Sequence, residues 1–218
     1  MEKAIILISG GTDSVLTAEI ARQRGYELYF LTANYGQKNF KREEKNSKFF
    51  AKYFKAKEHK IIDITWLGKL GNSAATDANM NFDGIHKEFE YIPFRNTVLI
   101  SVAVAWAEVN GATHILTGSM AGPWICPDNS PEYYKAIQNL INIATKTNKN
   151  ITIEAPLNEL NKSQIIKKSM EFNLPLDHTF TCIGGHIKAC GKCPPCLNRL
   201  EAFKILNLQD VIKYNKEK

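Results

Sequence analysis

The chain has 218 residues, 44% of them hydrophobic and 23% charged, an ordinary globular composition long enough for one sizeable α/β domain with a small appendage. No apolar run reaches the length of a bilayer span and no signal peptide precedes the first predicted strand, so a cytoplasmic location is expected. The net charge of +6, from 28 basic and 22 acidic residues, suits anionic ligands and permits, without demanding, nucleic acid.

Ala4-Ile5-Ile6-Leu7-Ile8 is a short β-branched run. It predicts a strand buried on both faces, as strands of parallel sheets are. Val15–Arg22 carries apolar residues at helical spacing. Between them stands Ser9-Gly10-Gly11-Thr12-Asp13-Ser14, a glycine turn from strand to helix, with Ser14 or Asp13 expected to cap the helix. Free N–H groups and the helix dipole make such a turn an anion site. The pattern G-x-x-x-x-G-K-[ST] is absent, so no turn lysine follows a γ-phosphate, and G-x-G-x-x-G is absent too. The hexapeptide S-G-G-x-D-S resembles the pyrophosphate loop of the N-type ATP pyrophosphatases, which cleave ATP between its α- and β-phosphates. A glycine turn of some other doubly wound protein is the plainer alternative.

Tyr26–Thr32 predicts a second strand, with Tyr35-Gly36-Gln37 at its carboxyl end, where ligands of open α/β sheets bind. A mixed-charge helix is expected over Lys38–Lys55, its aromatic stripe Phe49, Phe50, Tyr53 and Phe54 serving as packing. His59–Ile64 predicts the third strand, with His59 read as a surface residue at a strand edge. Gly71–Glu90 is polar and aperiodic, which suggests a lid or substrate loop. Asn96 is expected to cap the apolar helix Thr97–Val109. Arg95 then sits at a helix start, where a cation is disfavoured unless it faces an anion.

Thr113–Thr117 predicts the fourth strand, and the apolar residues within Met120–Ser130 suggest a pocket wall. Pro131–Lys146 is the next predicted helix and Ile151–Ile153 the fifth strand. Asn161 is placed to cap a helix over Lys162–Phe172. Lys162 repeats the anomaly of Arg95, a cation in a helix's first turn. Strands alternating with helices imply a doubly wound parallel sheet over 1–177, with a cysteine-bearing segment over 178–218.

Four of the five cysteines, Cys182, Cys190, Cys193 and Cys196, follow the spacing C-x7-C-x2-C-x2-C. In a chain without a signal peptide this favours a metal over disulfides. Four thiolates so placed can close a tetrahedral Zn²⁺ site; a [4Fe–4S] cluster uses the same ligand number. Lys188, Lys192 and Arg199 are expected to offset its negative charge, Pro194-Pro195 to start a helix over Cys196–Leu206, Cys126 to be an ordinary buried thiol, and the tail Lys213–Lys218 to fray.

Ser9–Ser14, Tyr35-Gly36-Gln37, Pro93 with Arg95-Asn96, Pro127-Asp128, Asn161-Lys162 and the terminal cysteines occur in one order along nearly the whole chain. Together they resemble the 7-cyano-7-deazaguanine synthase (QueC) family. The resemblance implies an adenine nucleotide α-hydrolase-like α/β fold. It implies ATP-dependent conversion of 7-carboxy-7-deazaguanine and ammonia to a nitrile, on the route to queuosine and archaeosine. Ser9, Gly10, Gly11, Thr12, Asp13 and Ser14, with Tyr35 and Gln37, would bind ATP. Lys162 and Arg95 would neutralise phosphate charge, and Mg²⁺ would lie near Asp13 or Asp128. The zinc would be structural, the chain a homodimer, and no direct nucleic-acid contact is implied. The sequence departs from the family where Phe94 replaces a glycine, at Met120–Cys126 ahead of Pro127-Asp128, and at Lys38-Asn39, where a histidine is common. The departures leave open a paralogue that stops at an amide or joins another amine, and a tRNA-modifying enzyme of the same loop superfamily.

Overall fold

Alternation of side chains along the first strand decides the layering. In strand β1 (Lys3–Leu7), Ala4 and Ile6 face one side of the sheet and Ile5 the other, all three fully buried. A computed structural model describes residues 1–71, 73–80, 91–122, 126–146 and 150–215. Strands β2 (Glu27–Asn34), β3 (Glu58–Asp63), β4 (His114–Leu116) and β5 (Thr152–Glu154) join β1 in one sheet of order β3-β2-β1-β4-β5. Every pairing is parallel. Helices α1 (Thr12–Gln23), α2 (Phe40–Tyr53) and α6 (Lys162–Glu171) cover the Ile6 face through Val15, Leu16, Phe50, Phe54 and Ile165. Helices α4 (Arg95–Asn110) and α5 (Pro131–Ala144) cover the Ile5 face through Ile100, Trp106, Ile137 and Ile141. A short helix α3 (Thr65–Gly68) follows β3, and α7 (Pro194–Ile205) packs against α6 through Ile166, Ala202 and Phe203.

The strand order reverses between β1 and β4, so a crevice opens at their carboxyl ends. Two glycines let the crevice close tightly. Gly10 has φ +78, and a Cβ there would lie 2.5 Å from Asn46 Cβ. A Cβ on Gly118, just past β4, would lie 3.0 Å from the Ser14 nitrogen.

Several local expectations are corrected. Helix α1 begins after Gly11 with no side-chain cap, and Ser14 Oγ instead donates back to the Gly11 carbonyl at 3.0 Å. His59 is half-buried on the edge strand and meets Thr32 Oγ1 at 2.9 Å. Phe50 and Phe54 are core residues as expected, whereas Tyr53 is exposed and Phe49 stacks on His178. The loop after Gly71 begins packed, with Ser73, Ala74 and Ala75 buried and Lys38 N–H donating to Ala75 O; residues 72 and 81–90 of the expected lid lie outside the described residues. The tail expected to fray over Lys213–Lys218 is tied down at Tyr214 and Asn215, and residues 216–218 lie outside the described residues. Tyr214 hydroxyl donates to Asp210 at 2.6 Å and Asn215 N–H to Ala189 O at 2.8 Å. Among the described residues no helix is long and apolar enough to cross a membrane.

Candidate active site

The glycine turn is built by its own serines. Ser14 Oγ accepts from the Ser9 N–H at 3.3 Å, and Ser9 Oγ accepts from the Gly11 N–H at 3.3 Å. These bonds hold the backbone between β1 and α1 curled at the sheet's reversal point. From outside, the Phe180 N–H donates to the Gly10 carbonyl at 3.2 Å, tying the turn to the C-terminal segment.

Lys162 reaches this turn from the start of α6. Asn161 caps that helix as expected, in a capping box with Gln164. The Lys162 ammonium donates to both oxygens of Asp13, at 2.6 and 2.8 Å. Lys162 is 6% exposed and Asp13 27%. The anomaly of a cation in a helix's first turn thus has a local answer, because Asp13 neutralises it. The pair sets one buried positive charge and one partly exposed carboxylate at the glycine turn.

Arg95 stands beside Tyr35, just past the carboxyl end of β2, the strand next to β1. Its guanidinium lies over the Tyr35 ring, 5.4 Å from the centroid, and donates to Asn96 Oδ1 at 3.2 and 3.3 Å. Burial acts to lower the Arg95 pKa, but the neighbouring Tyr35, Cys126, Asp128 and Glu43 together hold it above the ordinary value. Burial pushes the Tyr35 hydroxyl up to about 12, so it stays protonated. Cys126 is half-buried beside this cluster rather than fully enclosed.

Two residues have employments that the sequence concealed. Asn96 does not cap α4. The Asp128 carboxylate does so from a distant turn, accepting from the Asn96 N–H at 2.8 Å and the Thr97 N–H at 3.2 Å through Oδ2. Its Oδ1 accepts from the Asn96 amide at 3.3 Å. Both Asp128 oxygens are therefore engaged in holding the helix start that carries Arg95. Gln37 is likewise turned inward. Its Oε1 accepts from the Tyr35 N–H at 2.9 Å, and its Nε2 donates to Ala33 O and Glu43 Oε2 at 2.9 and 2.8 Å. Gln37 shapes the Tyr35 turn, and both hydrogens of its amide nitrogen are committed within the protein. Glu43, whose carboxyl burial holds above its ordinary pKa, was not legible as a site residue; a glutamate in a mixed-charge helix reads as solvated surface.

Phe94, immediately before Arg95, has φ +58 and ψ 18. That left-handed conformation is free for glycine and strained for a bulky side chain. The departure from the family's glycine thus falls where the backbone favours one. Within the expected pocket wall, residues 123–125 lie outside the described residues.

The four cysteines converge. The sulfurs of Cys182, Cys190, Cys193 and Cys196 all lie within 4.8 Å of one another, three of the residues being buried. Backbone N–H groups of Cys190, Lys192 and Cys193 point at the sulfurs at 3.3–3.4 Å. Hydrogen bonds from Cys193 and Cys196 pull the Cys182 thiol down to about 2, and Cys182 in turn holds Cys193 up to about 12 and Cys196 higher still. Thiolates this close cannot all ionise unless a cation neutralises them, so the donor set fits a soft or borderline metal ion. Arg199 does not supply that charge. It is fully buried and pairs with Asp210 at 2.8 and 2.9 Å, with further bonds to Thr179 and Leu176 O. Helix α7 starts at Pro194, with Cys193 as its N-cap residue.

A family model described as queuosine biosynthesis protein QueC matches residues 3–207. The chain belongs to the QueC family. Proteins named 7-cyano-7-deazaguanine synthase are similar over nearly their whole length. One from Acetivibrio thermocellus is 41% identical, covering 98% of both chains. One from Oceanobacillus iheyensis is 38% identical, again over 98% of both. One from Methanospirillum hungatei is 37% identical over 97% of this chain and 99% of its own. Among solved structures, NMN synthetase from Francisella tularensis superposes with TM-score 0.51 at 16% identity, over 95% of this chain and 78% of that one. A predicted subunit of a tRNA methyltransferase from Methanocaldococcus jannaschii gives TM-score 0.52 at 18% identity, over 78% and 75%. At such identities the likeness is one of fold, the doubly wound adenine nucleotide α-hydrolase-like sheet expected from the sequence.

Proposed function

We propose that this QueC-family enzyme is a 7-cyano-7-deazaguanine synthase that activates 7-carboxy-7-deazaguanine with ATP and aminates it with ammonia. The observation that carries the reading is the buried Lys162–Asp13 pair on a lysine-free glycine turn at the sheet's reversal point, with Arg95 held over Tyr35 just past the neighbouring strand β2. Such a turn presents N–H groups to the leaving pyrophosphate, and fixed cations stabilise the charge that develops there. The substrate carboxylate attacks the α-phosphorus, forming an acyl adenylate and releasing pyrophosphate. Ammonia displaces AMP and gives the amide, losing one proton. The amide oxygen then attacks the α-phosphorus of a second ATP, releasing pyrophosphate, and loss of AMP together with both protons from nitrogen leaves the nitrile. The chain's contribution is positioning and charge. Lys162 steadies the polyphosphate, Ser9–Ser14 cradle it, and Arg95, held by Asn96, Asp128 and the Tyr35 ring, faces the developing adenylate.

Mg²⁺, when bound with ATP, would neutralise phosphate oxygens, and the partly exposed Asp13 carboxylate is the group suited to hold it. Zn²⁺ is the ion we assign to Cys182, Cys190, Cys193 and Cys196, on the strength of four convergent thiols. Its role is to brace the 178–218 segment against the 1–177 domain. Free cysteines placed for a metal suit a cytoplasmic enzyme, and we infer a homodimer that makes no direct contact with nucleic acid.

The test is product analysis by mass spectrometry with ATP, ammonium and 7-carboxy-7-deazaguanine. The nitrile, with two AMP and two pyrophosphate per turnover, is the expected result. Pyrophosphate with a product that keeps one oxygen refutes the nitrile step alone; ADP refutes the reading of Ser9–Ser14.

A further inference from the structure

An asparagine just before a helix ordinarily accepts a hydrogen bond from one of the helix's free N–H groups. Asn39 stands in that place before α2 and caps nothing. It is 4% exposed, and its Nδ2 donates to Glu43 Oε1 at 3.1 Å and to the Cys182 carbonyl at 3.0 Å. The orientation is forced. A backbone carbonyl can only accept, so the amide nitrogen must face it and the Oδ1 is turned away, where it has no protein partner.

These two bonds belong to a longer run. Glu43 also accepts from Gln37 through its other oxygen, and Gln37 accepts the Tyr35 N–H. Arg95 lies over the Tyr35 ring. An unbroken path of side-chain hydrogen bonds therefore leads from Cys182 through Asn39, Glu43 and Gln37 to the turn on which Arg95 rests. Cys182 contributes its sulfur to the metal set and its carbonyl to Asn39. Holding the sulfur in a tetrahedral site restrains the Cys182 backbone, and with it the carbonyl that Asn39 engages.

We infer that Asn39 is a positioning residue that couples occupancy of the four-cysteine site to the geometry of the nucleotide site at Tyr35 and Arg95. The inference rests on the metal and nucleotide readings given above. Such coupling is reciprocal: metal raises nucleotide affinity, and nucleotide raises metal affinity by the same factor. Without the Asn39 amide this path is cut, and the Phe180–Gly10 bond is left as a link between the cysteine segment and the glycine turn, one that does not pass through Tyr35.

The test uses the full chain with its zinc content measured by elemental analysis, and α,β-methylene-ATP with Mg²⁺ as probe. Analogue affinity is read by calorimetry in zinc-loaded and chelator-stripped protein, for wild type, Asn39→Ala and Asn39→Asp. Stripping is expected to weaken binding about tenfold in the wild type, within the usual range of coupling between sites, and about twofold or less in either variant. Asn39→Asp keeps the size but turns a donor into an acceptor facing Glu43 and the Cys182 carbonyl. A measurement needing no stripped protein accompanies it: the analogue should slow chelator-driven zinc release from the wild type and leave Asn39→Ala unaffected. Equal ratios or equal slowing in wild type and Asn39→Ala, with zinc verified, overturn the inference alone. Folded protein without metal overturns the zinc reading and the inference with it, and analogue binding that fails in the loaded wild type overturns the nucleotide site itself.

Discussion

Replacing Lys162 with alanine separates what the Asp13–Lys162 pair does for the fold from what it does for the reaction. The ammonium is 6% exposed and sits 2.6 and 2.8 Å from the two Asp13 oxygens. At an effective dielectric of about 20, unit charges about 2.7 Å apart attract by about 6 kcal/mol. Desolvating the ammonium offsets several kcal/mol of that. Truncation of a wholly buried pair costs about 3–5 kcal/mol, but Asp13 keeps about a quarter of its surface in water and can be rehydrated. We therefore expect a loss of about 2 kcal/mol, which for a chain of this size lowers Tm by about 4–8 °C. The fold survives. Turnover should fall about a hundredfold or more, the usual effect of deleting one contact to transition-state charge. A thermal melt and a steady-state pyrophosphate-release assay on one preparation read both quantities. Turnover within about threefold of wild type would refute the catalytic assignment, since charge contacts of this kind carry far more. A Tm loss beyond about 15 °C would show that the pair is chiefly structural.

Cys193→Ala should abolish stoichiometric zinc in elemental analysis and lower the melting temperature, because three thiolates do not close a tetrahedral site; retained zinc at one per chain would count against the ligand set. Phe94→Gly relieves a left-handed backbone at a bulky residue, so Tm should rise with a gain of about 1 kcal/mol; a fall in Tm would mean that the exposed ring contributes contacts outweighing the strain. Asp128→Ala removes the acceptor for two N–H groups at the start of α4 and should cost about 1–2 kcal/mol, with a raised KM for ATP as Arg95 loses its platform. Unchanged stability in urea titration would refute that capping role.

The pattern of strands and helices was readable because each depends on neighbours in sequence. Ala4–Ile8, the Asn161 cap and the four cysteines are of this kind: periodicity, one side chain against its own helix, ligands a few residues apart. What escaped was long-range. Asn96 looked like the cap of α4, yet Asp128, remote in sequence, supplies the acceptor. Arg199 looked like a counter-charge for thiolates until Asp210 folded back on it. Asn39, read as part of the Lys38–Lys55 helix, stands just before it and turns its amide to a carbonyl of the C-terminal segment. Local rules propose a partner for each polar group, and tertiary packing substitutes a stronger one.

The bond between Asp13 and Lys162 joins residues 149 apart in the chain, and Phe180 must reach back to Gly10 to finish the turn. During synthesis, at about 5–20 residues per second, the first strand and its glycine turn wait roughly ten to thirty seconds for these partners to leave the ribosome. A nascent chain can therefore pair β1 with β2 and still lack the Lys162 and Phe180 contacts of its glycine turn. The glycine turn of the first strand is finished only once residue 180 has been made.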